Sequence, residues 1–194
     1  MQYWSLFFSG PFDSLTLLPF STGANANNAD NIRWFTPLHL IALPARHEAD
    51  EKPGEDRRAR IAHLLCGSYG ACEPDVNYQD SESNSPLHYA AQLETPDAST
   101  VVEVFLDKGA NPNLKNERKQ SPLHLLCHNE RLRESGVFDR ALHAMLSHGA
   151  DPNQQSLTGC TPLHLSLYHR DIDSAVQLVF SGAELHLCWN KVRS

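Results

Sequence analysis

His124, Cys127 and His128 fall on adjacent turns of one helical stretch. At that spacing two imidazoles and a thiolate could face one transition metal, or an imidazole could activate the thiol as a nucleophile. Neither chemistry is expected. His124 closes a tetrapeptide that occurs four times, as Thr36-Pro37-Leu38-His39, Ser85-Pro86-Leu87-His88, Ser121-Pro122-Leu123-His124 and Thr161-Pro162-Leu163-His164, so it belongs to a motif rather than to a local site. For a Cys–His nucleophile, no oxyanion hole or orienting third group is visible. No phosphate-binding loop, nucleotide-binding glycine cluster or carboxylate pair stands out either. The sequence therefore reads as non-enzymatic, with no catalytic residue, cofactor or metal ligand.

The elements that carry the motif are legible from its chemistry. Thr36, Ser85, Ser121 and Thr161 stand where an N-cap is needed, and the Pro after each gives up an N–H that would have no helical partner. Each motif opens a short helix. A longer apolar stretch at helical spacing follows, as in Val101, Val102, Val104, Phe105 and Leu106, or Ala141, Leu142, Met145 and Leu146. A second mark ends that stretch: Gly23-Ala24-Asn25-Ala26-Asn27, Gly109-Ala110-Asn111-Pro112-Asn113, Gly149-Ala150-Asp151-Pro152-Asn153 and, loosely, Gly182-Ala183-Glu184-Leu185. Its Gly is the expected left-handed stop. Twelve residues separate Gly109 from Ser121 and also Gly149 from Thr161, so a structure fixes the spacing. The polar run between Asn and the next hydroxyl has turn composition. Helix, loop, helix and finger form each unit.

The pairing of T/S-P-L-H with G-A-D/N-x-N, with Ala90-Ala91 after one His, resembles the ankyrin repeat, a β-turn finger and two antiparallel helices in about 33 residues. The resemblance implies an all-α repeat solenoid of about four clear units and one worn N-terminal unit. The expected division is 1–33 for the degenerate unit, 34–84 with an inserted loop at 44–55, then 85–120, 121–160 and 161–194. It implies structural histidines, His39, His88, His124 and His164, each hydrogen-bonding the neighbouring finger. It also implies a protein partner on a concave groove of fingers and inner helices. Finger candidates are Arg33 and Trp34, Tyr78, Asp80 and Glu82, Lys115, Glu117 and Arg118, and Gln155 and Leu157. On the inner helices they are Gln92 and Glu94, His128 and Glu130, and Tyr168 and Arg170. Lys119 and Ser83 stand where the family usually has Gly, which leaves their turns open in shape. The function expected is a protein–protein interaction module or scaffold; the alternative is the recognition part of a larger enzyme assembly, such as a ubiquitin-ligase adaptor or ankyrin-kinase.

Composition agrees and decides little else. A length of 194 residues at 41% apolar content allows one or two globular domains or one elongated solenoid. A net charge of −7 disfavours nucleic acid or an anionic membrane as the ligand, and no small-molecule substrate is expected. Five cysteines in no paired C-x-x-C spacing point to the reducing cytoplasm or nucleus. The apolar first twenty residues lack a basic start and contain Pro11, Asp13 and Pro19, so they read as the worn unit rather than a signal peptide. Ser194 lies twelve residues after Gly182, where a further unit would open, and truncation there is expected. Spacings of 49, 36 and 40 residues between successive motif prolines place insertions between the marks: 44–55, an expanded turn at Ala71-Cys72-Glu73-Pro74, and a milder one near Asn129 to Ser135.

Overall fold

The computed structural model describes residues 33–43, 57–66, 74–133 and 136–187. The worn unit before Arg33, the inserted loop 44–55, most of the expanded turn and the tail from Cys188 lie outside them. Within the described residues the chain is an all-α array with no strand. Its helices are α1 (Pro37–Ile41), α2 (Arg57–Cys66), α3 (Pro86–Ala90), α4 (Ala98–Asp107), α5 (Pro122–His128), α6 (Glu130–Arg133), α7 (Val137–Ser147), α8 (Pro162–Tyr168) and α9 (Ile172–Phe180).

The T/S-P-L-H motifs open α1, α3, α5 and α8, each with Pro in the first turn after an extended N-cap. These are the short inner helices. The motif leucines Leu38, Leu87, Leu123 and Leu163 are buried and form the spine of the core. Outer helices α2 and α4, and α4 and α7, pack side by side, and their apolar faces meet the spine through Ala59 and Ala62, Val102 and Phe105, and Leu142 and Met145. Burying the valine, leucine, methionine and phenylalanine side chains among these contributes about 1.5 to 3 kcal/mol each. Every unit leaves an apolar face that only its neighbour covers, so the core is continuous along the stack.

α4, α7 and α9 stop alike. Gly109, Gly149 and Gly182 have φ of 85°, 82° and 93°, and the amides of Ala110, Ala150 and Ala183 turn back to the carbonyls of Phe105, Met145 and Leu178. The left-handed backbone is what requires glycine there, since an added Cβ would meet nothing within 4 Å.

Two features depart from a uniform repeat. The insertion after α5 carries a helical turn of its own, α6, which packs on α7 and buries Leu132. The last outer helix packs on α8, and a trough lined by Ala144, Leu146, Gln177 and Phe180 separates it from α7.

Candidate binding groove

Three hydrogen-bond ladders fix the fingers relative to the helices. In the first, each motif hydroxyl lies 2.7 to 2.8 Å from the Nδ1 of its own histidine, and that Nδ1 also accepts the backbone N–H of the hydroxyl residue. Nδ1 is therefore an acceptor, and the proton of the neutral ring sits on Nε2. Nε2 of His39, His88 and His124 donates to the carbonyls of Asn84, Gln120 and Cys160 in the following finger, at 3.1, 3.1 and 3.0 Å. Burial holds the His88 and His124 imidazoles at about 4, against an ordinary 6.5, which keeps both neutral and in this tautomer. With both ring nitrogens engaged, His124 has no lone pair to offer a metal.

The second ladder runs through the Asn that ends the marks at 109–113 and 149–153 and the shorter copy Asp75-Val76-Asn77. The side-chain amides of Asn77, Asn113 and Asn153 donate to the carbonyls of Gly109, Gly149 and Gly182, at 3.1, 2.8 and 2.9 Å. Their oxygens accept the amides of Asn111, Asp151 and Glu184. The third ladder is backbone to backbone across the fingertips: Ser81 to Arg33, Glu117 to Glu82 and Leu157 to Arg118, at 2.9 to 3.1 Å. Each ladder crosses a unit boundary, so the fingers are held as one surface.

The finger turns themselves share one backbone shape. Trp34, Ser83, Lys119 and Gly159, each two residues before a motif hydroxyl, have φ of 61°, 60°, 54° and 76°. Ser83 and Lys119 thus keep the left-handed turn despite not being glycine. Asp80 and Asn116 close their turns with side-chain oxygens that accept amides two and four residues ahead.

Asp80 departs from the expectation of a surface contact. It is 4% exposed, and its carboxylate is filled by the Glu82 and Asn84 amides and by the Tyr89 hydroxyl at 2.6 Å. Burial and this carboxylate push the Tyr89 hydroxyl's pKa up, so it stays a donor. The other finger candidates stand further out. Arg33, Trp34, Glu82, Lys115, Glu117, Arg118 and Leu157 are exposed, while Tyr78 and Gln155 are half-buried. Tyr78 sets its ring edge-on to His39, and Arg33 lies over the Phe35 ring.

A groove between fingers and inner helices brings together Glu82, Arg118, Gln92, Glu94, His128 and Glu130. Trp34, Tyr78, Lys115, Glu117, Gln155, Leu157, Tyr168 and Arg170 do not line it. Residues missed from sequence do: Tyr89, Leu125 and Leu165 each follow a motif histidine and form an apolar floor, and Asn129 and Arg131 come from the α6 insertion. The floor positions were open to register alone, because they recur one place after the motif. Arg131 pairs with Glu94 at 2.7 Å across the groove, and Asn129 donates to the Leu93 carbonyl at 3.0 Å. Both contacts needed α6.

Cys127, beneath the groove, is fully buried, and burial pushes its thiol up to about 12. A thiol so held is protonated and inert. Among the described residues no group of three or more His, Cys, Asp or Glu side chains is placed to hold a metal.

Residues 88–187 match the family model for ankyrin repeats (3 copies). The chain is 46% identical over 91 residues, 45% of its length, to the transient receptor potential cation channel subfamily A member 1 homolog of Caenorhabditis elegans. It is 32% identical over 100 residues, 51% of its length, to a probable serine/threonine-protein kinase of Dictyostelium discoideum. To human NF-kappa-B inhibitor alpha it is 32% identical over 76 residues, 37% of its length. These matches span 7%, 10% and 23% of the three relatives, so the likeness is to a segment of each.

Proposed function

The chain belongs to the ankyrin repeat family, and from that premise we propose that it is a protein–protein interaction module that holds a partner protein in the groove between its fingers and inner helices. The observation that carries this reading is the join of the two surfaces. Finger residues Glu82 and Arg118, Gln92 and Glu94 from the loop after α3, and His128 at the end of α5 line one groove over an apolar floor, with the fingers cross-linked so that they cannot splay independently. A preorganised surface of this kind loses little entropy on binding. The exposed Trp34 and Leu157 would extend the contact along the fingertips, and Trp and Arg are the residue types that dominate interface energy.

The module has no chemistry of its own in this reading. The motif histidines His39, His88 and His124 are engaged in the finger ladder and the Cys127 thiol is protonated. A net charge of −7 favours a protein over nucleic acid or an anionic membrane, and no helix among the described residues is long and apolar enough to cross a membrane. The free thiols of Cys127 and Cys160 are compatible with a cytoplasmic or nuclear setting.

The likeness to a segment of a probable serine/threonine-protein kinase favours a second reading, in which the array recognises substrates for a larger enzyme assembly. One experiment addresses both. Lysate capture by the wild-type chain is compared with capture by Glu82→Ala/Gln92→Ala/Arg118→Ala and by a convex-face control, Arg140→Ala/His143→Ala. Partners lost only from the groove variant support the proposal. Partners lost only from the convex variant, or from neither, remove it, and a captured set dominated by kinase or ligase substrates selects the second reading.

A further inference from the structure

His128, at the end of α5, and His169, just after α8, meet across the boundary between the last two helix pairs. Nδ1 of His128 lies 3.4 Å from Nε2 of His169, with ring centroids 5.3 Å apart. On its far side, Nδ1 of His169 donates to Oε1 of Glu130 in α6 at 2.8 Å. That bond fixes the tautomer. With its proton on Nδ1, neutral His169 presents the Nε2 lone pair to His128, whose Nδ1–H must be the donor.

We propose that His128 and His169 form a proton-sensitive latch between the third and fourth helix pairs, closed while the two rings share at most one added proton and open when they carry two. One added proton leaves one ring a donor and the other an acceptor, and makes the bond between them charge-assisted. A second leaves no acceptor between the rings: it turns the contact into N–H against N–H and sets two positive rings together.

The surrounding charges grade the two steps. Glu130 offers one negative charge beside His169, enough to support a single added proton. Arg133, also on α6, faces the same place and opposes the second. Asp171 pairs with Arg133 at 3.3 Å and also accepts the Ser174 amide and hydroxyl at the start of α9, which weakens the opposition of Arg133 without removing it. Glu94, one unit back, is taken by Arg131. Tyr168 packs edge-on to His169. His169 is 7% exposed at its side chain whereas His128 is exposed, so water screens the repulsion from the His128 side only. Burial, with Arg133 and His128 beside it, holds this imidazole below its ordinary range. The latch lies at the groove, since His128 and Glu130 line it, but its working does not depend on any partner.

The test is a double-mutant cycle of wild type, His128→Ala, His169→Ala and the double variant, read by amide exchange across residues 162–180 at pH 7.5 and pH 5.0. Acid effects of the motif histidines are common to all four proteins and cancel. At pH 7.5 the coupling should close the boundary by about three- to tenfold, the range of one hydrogen bond. At pH 5.0 it should vanish or reverse. Equal coupling at both values, or none at pH 7.5, overturns the proposal. Should a variant lose the last helix pair outright, nitrogen shifts of the two rings in the wild-type chain decide instead. Two separate protonation steps, the second accompanied by faster exchange in α8 and α9, are expected; one step with both rings titrating independently overturns the latch.

Discussion

At the scale of single residues, buried neutral histidines make this fold acid-sensitive. His88 and His124 have folded values near 4 and unfolded values near 6.5, so the unfolded chain binds more protons between those limits. Their contribution is present above pH 6.5 and is lost as pH falls toward 4, at up to about 3 kcal/mol each. Urea midpoints should therefore drop steeply from pH 7 to pH 4. In His88→Gln the midpoint at pH 7 should be lower but the slope with pH shallower by about one proton; an unchanged slope would show that His88 does not titrate on unfolding. The finger turns allow the opposite kind of change. A non-glycine residue in the left-handed region costs about 1 to 2 kcal/mol, against about 0.5 to 1 for the extra freedom of glycine in the unfolded chain. Lys119→Gly should thus raise stability by about 0.5 to 1 kcal/mol in thermal or chemical denaturation. Trp34→Gly should stabilise its turn in the same way, and in the proposed function it removes an exposed aromatic anchor, so stability and binding should move in opposite directions.

At the scale of elements, the inserted turn α6 is part of the fold and not a tolerated loop. Leu132 is 1% exposed, Arg133 lies over the Phe138 ring, and Asn129 ties the segment both to the Leu132 amide and to the Leu93 carbonyl of the preceding unit. Leu132→Ala should cost about 2 to 3 kcal/mol, by the usual penalty for emptying a buried leucine site; a loss under 0.5 kcal/mol in urea titration would mean that α6 packs only loosely. This element also marks where the sequence stopped being legible. The helices opened by Thr36, Ser85, Ser121 and Thr161 and closed by Gly109, Gly149 and Gly182 were readable because hydroxyl, proline and glycine each answer a local backbone need. The tie from each motif histidine to the next finger was readable only through resemblance to a family. Asn129 to Arg133 carry no such punctuation, and their helical turn depends on contacts with α7 and with the unit before, which local sequence does not display. Asp80 was misplaced for a related reason: a carboxylate in a polar turn reads as solvated until Tyr89, nine residues on, is seen to reach back to it.

At the scale of the whole molecule, the described array should be stiffest in the middle and weakest at its last unit. Leu167 is 51% exposed, whereas Cys127, the matching position one unit earlier, is fully buried under that unit. Val179 and Leu185 are open as well, and Phe180, 87% exposed, borders the trough between α7 and α9. Since each unit of a stack is stabilised by its own core and by its neighbours, a unit covered on one side among the described residues, with its outer helix set off from α7, has fewer terms holding it. Two substitutions separate these regions. Leu123→Ala, in the central inner helix and 0% exposed, should cost about 2 to 4 kcal/mol, while Leu167→Ala should cost less than about 0.5 kcal/mol. Amide exchange should follow the same gradient, slowest in α4, α5 and α7 and fastest in α9. Equal protection along the stack, together with a large penalty at Leu167, would mean that the open face is covered in solution. Adding a partner that buries Leu167, Val179 and Leu185 should then slow exchange in α9 first, because that helix has the most stability to gain from a neighbour.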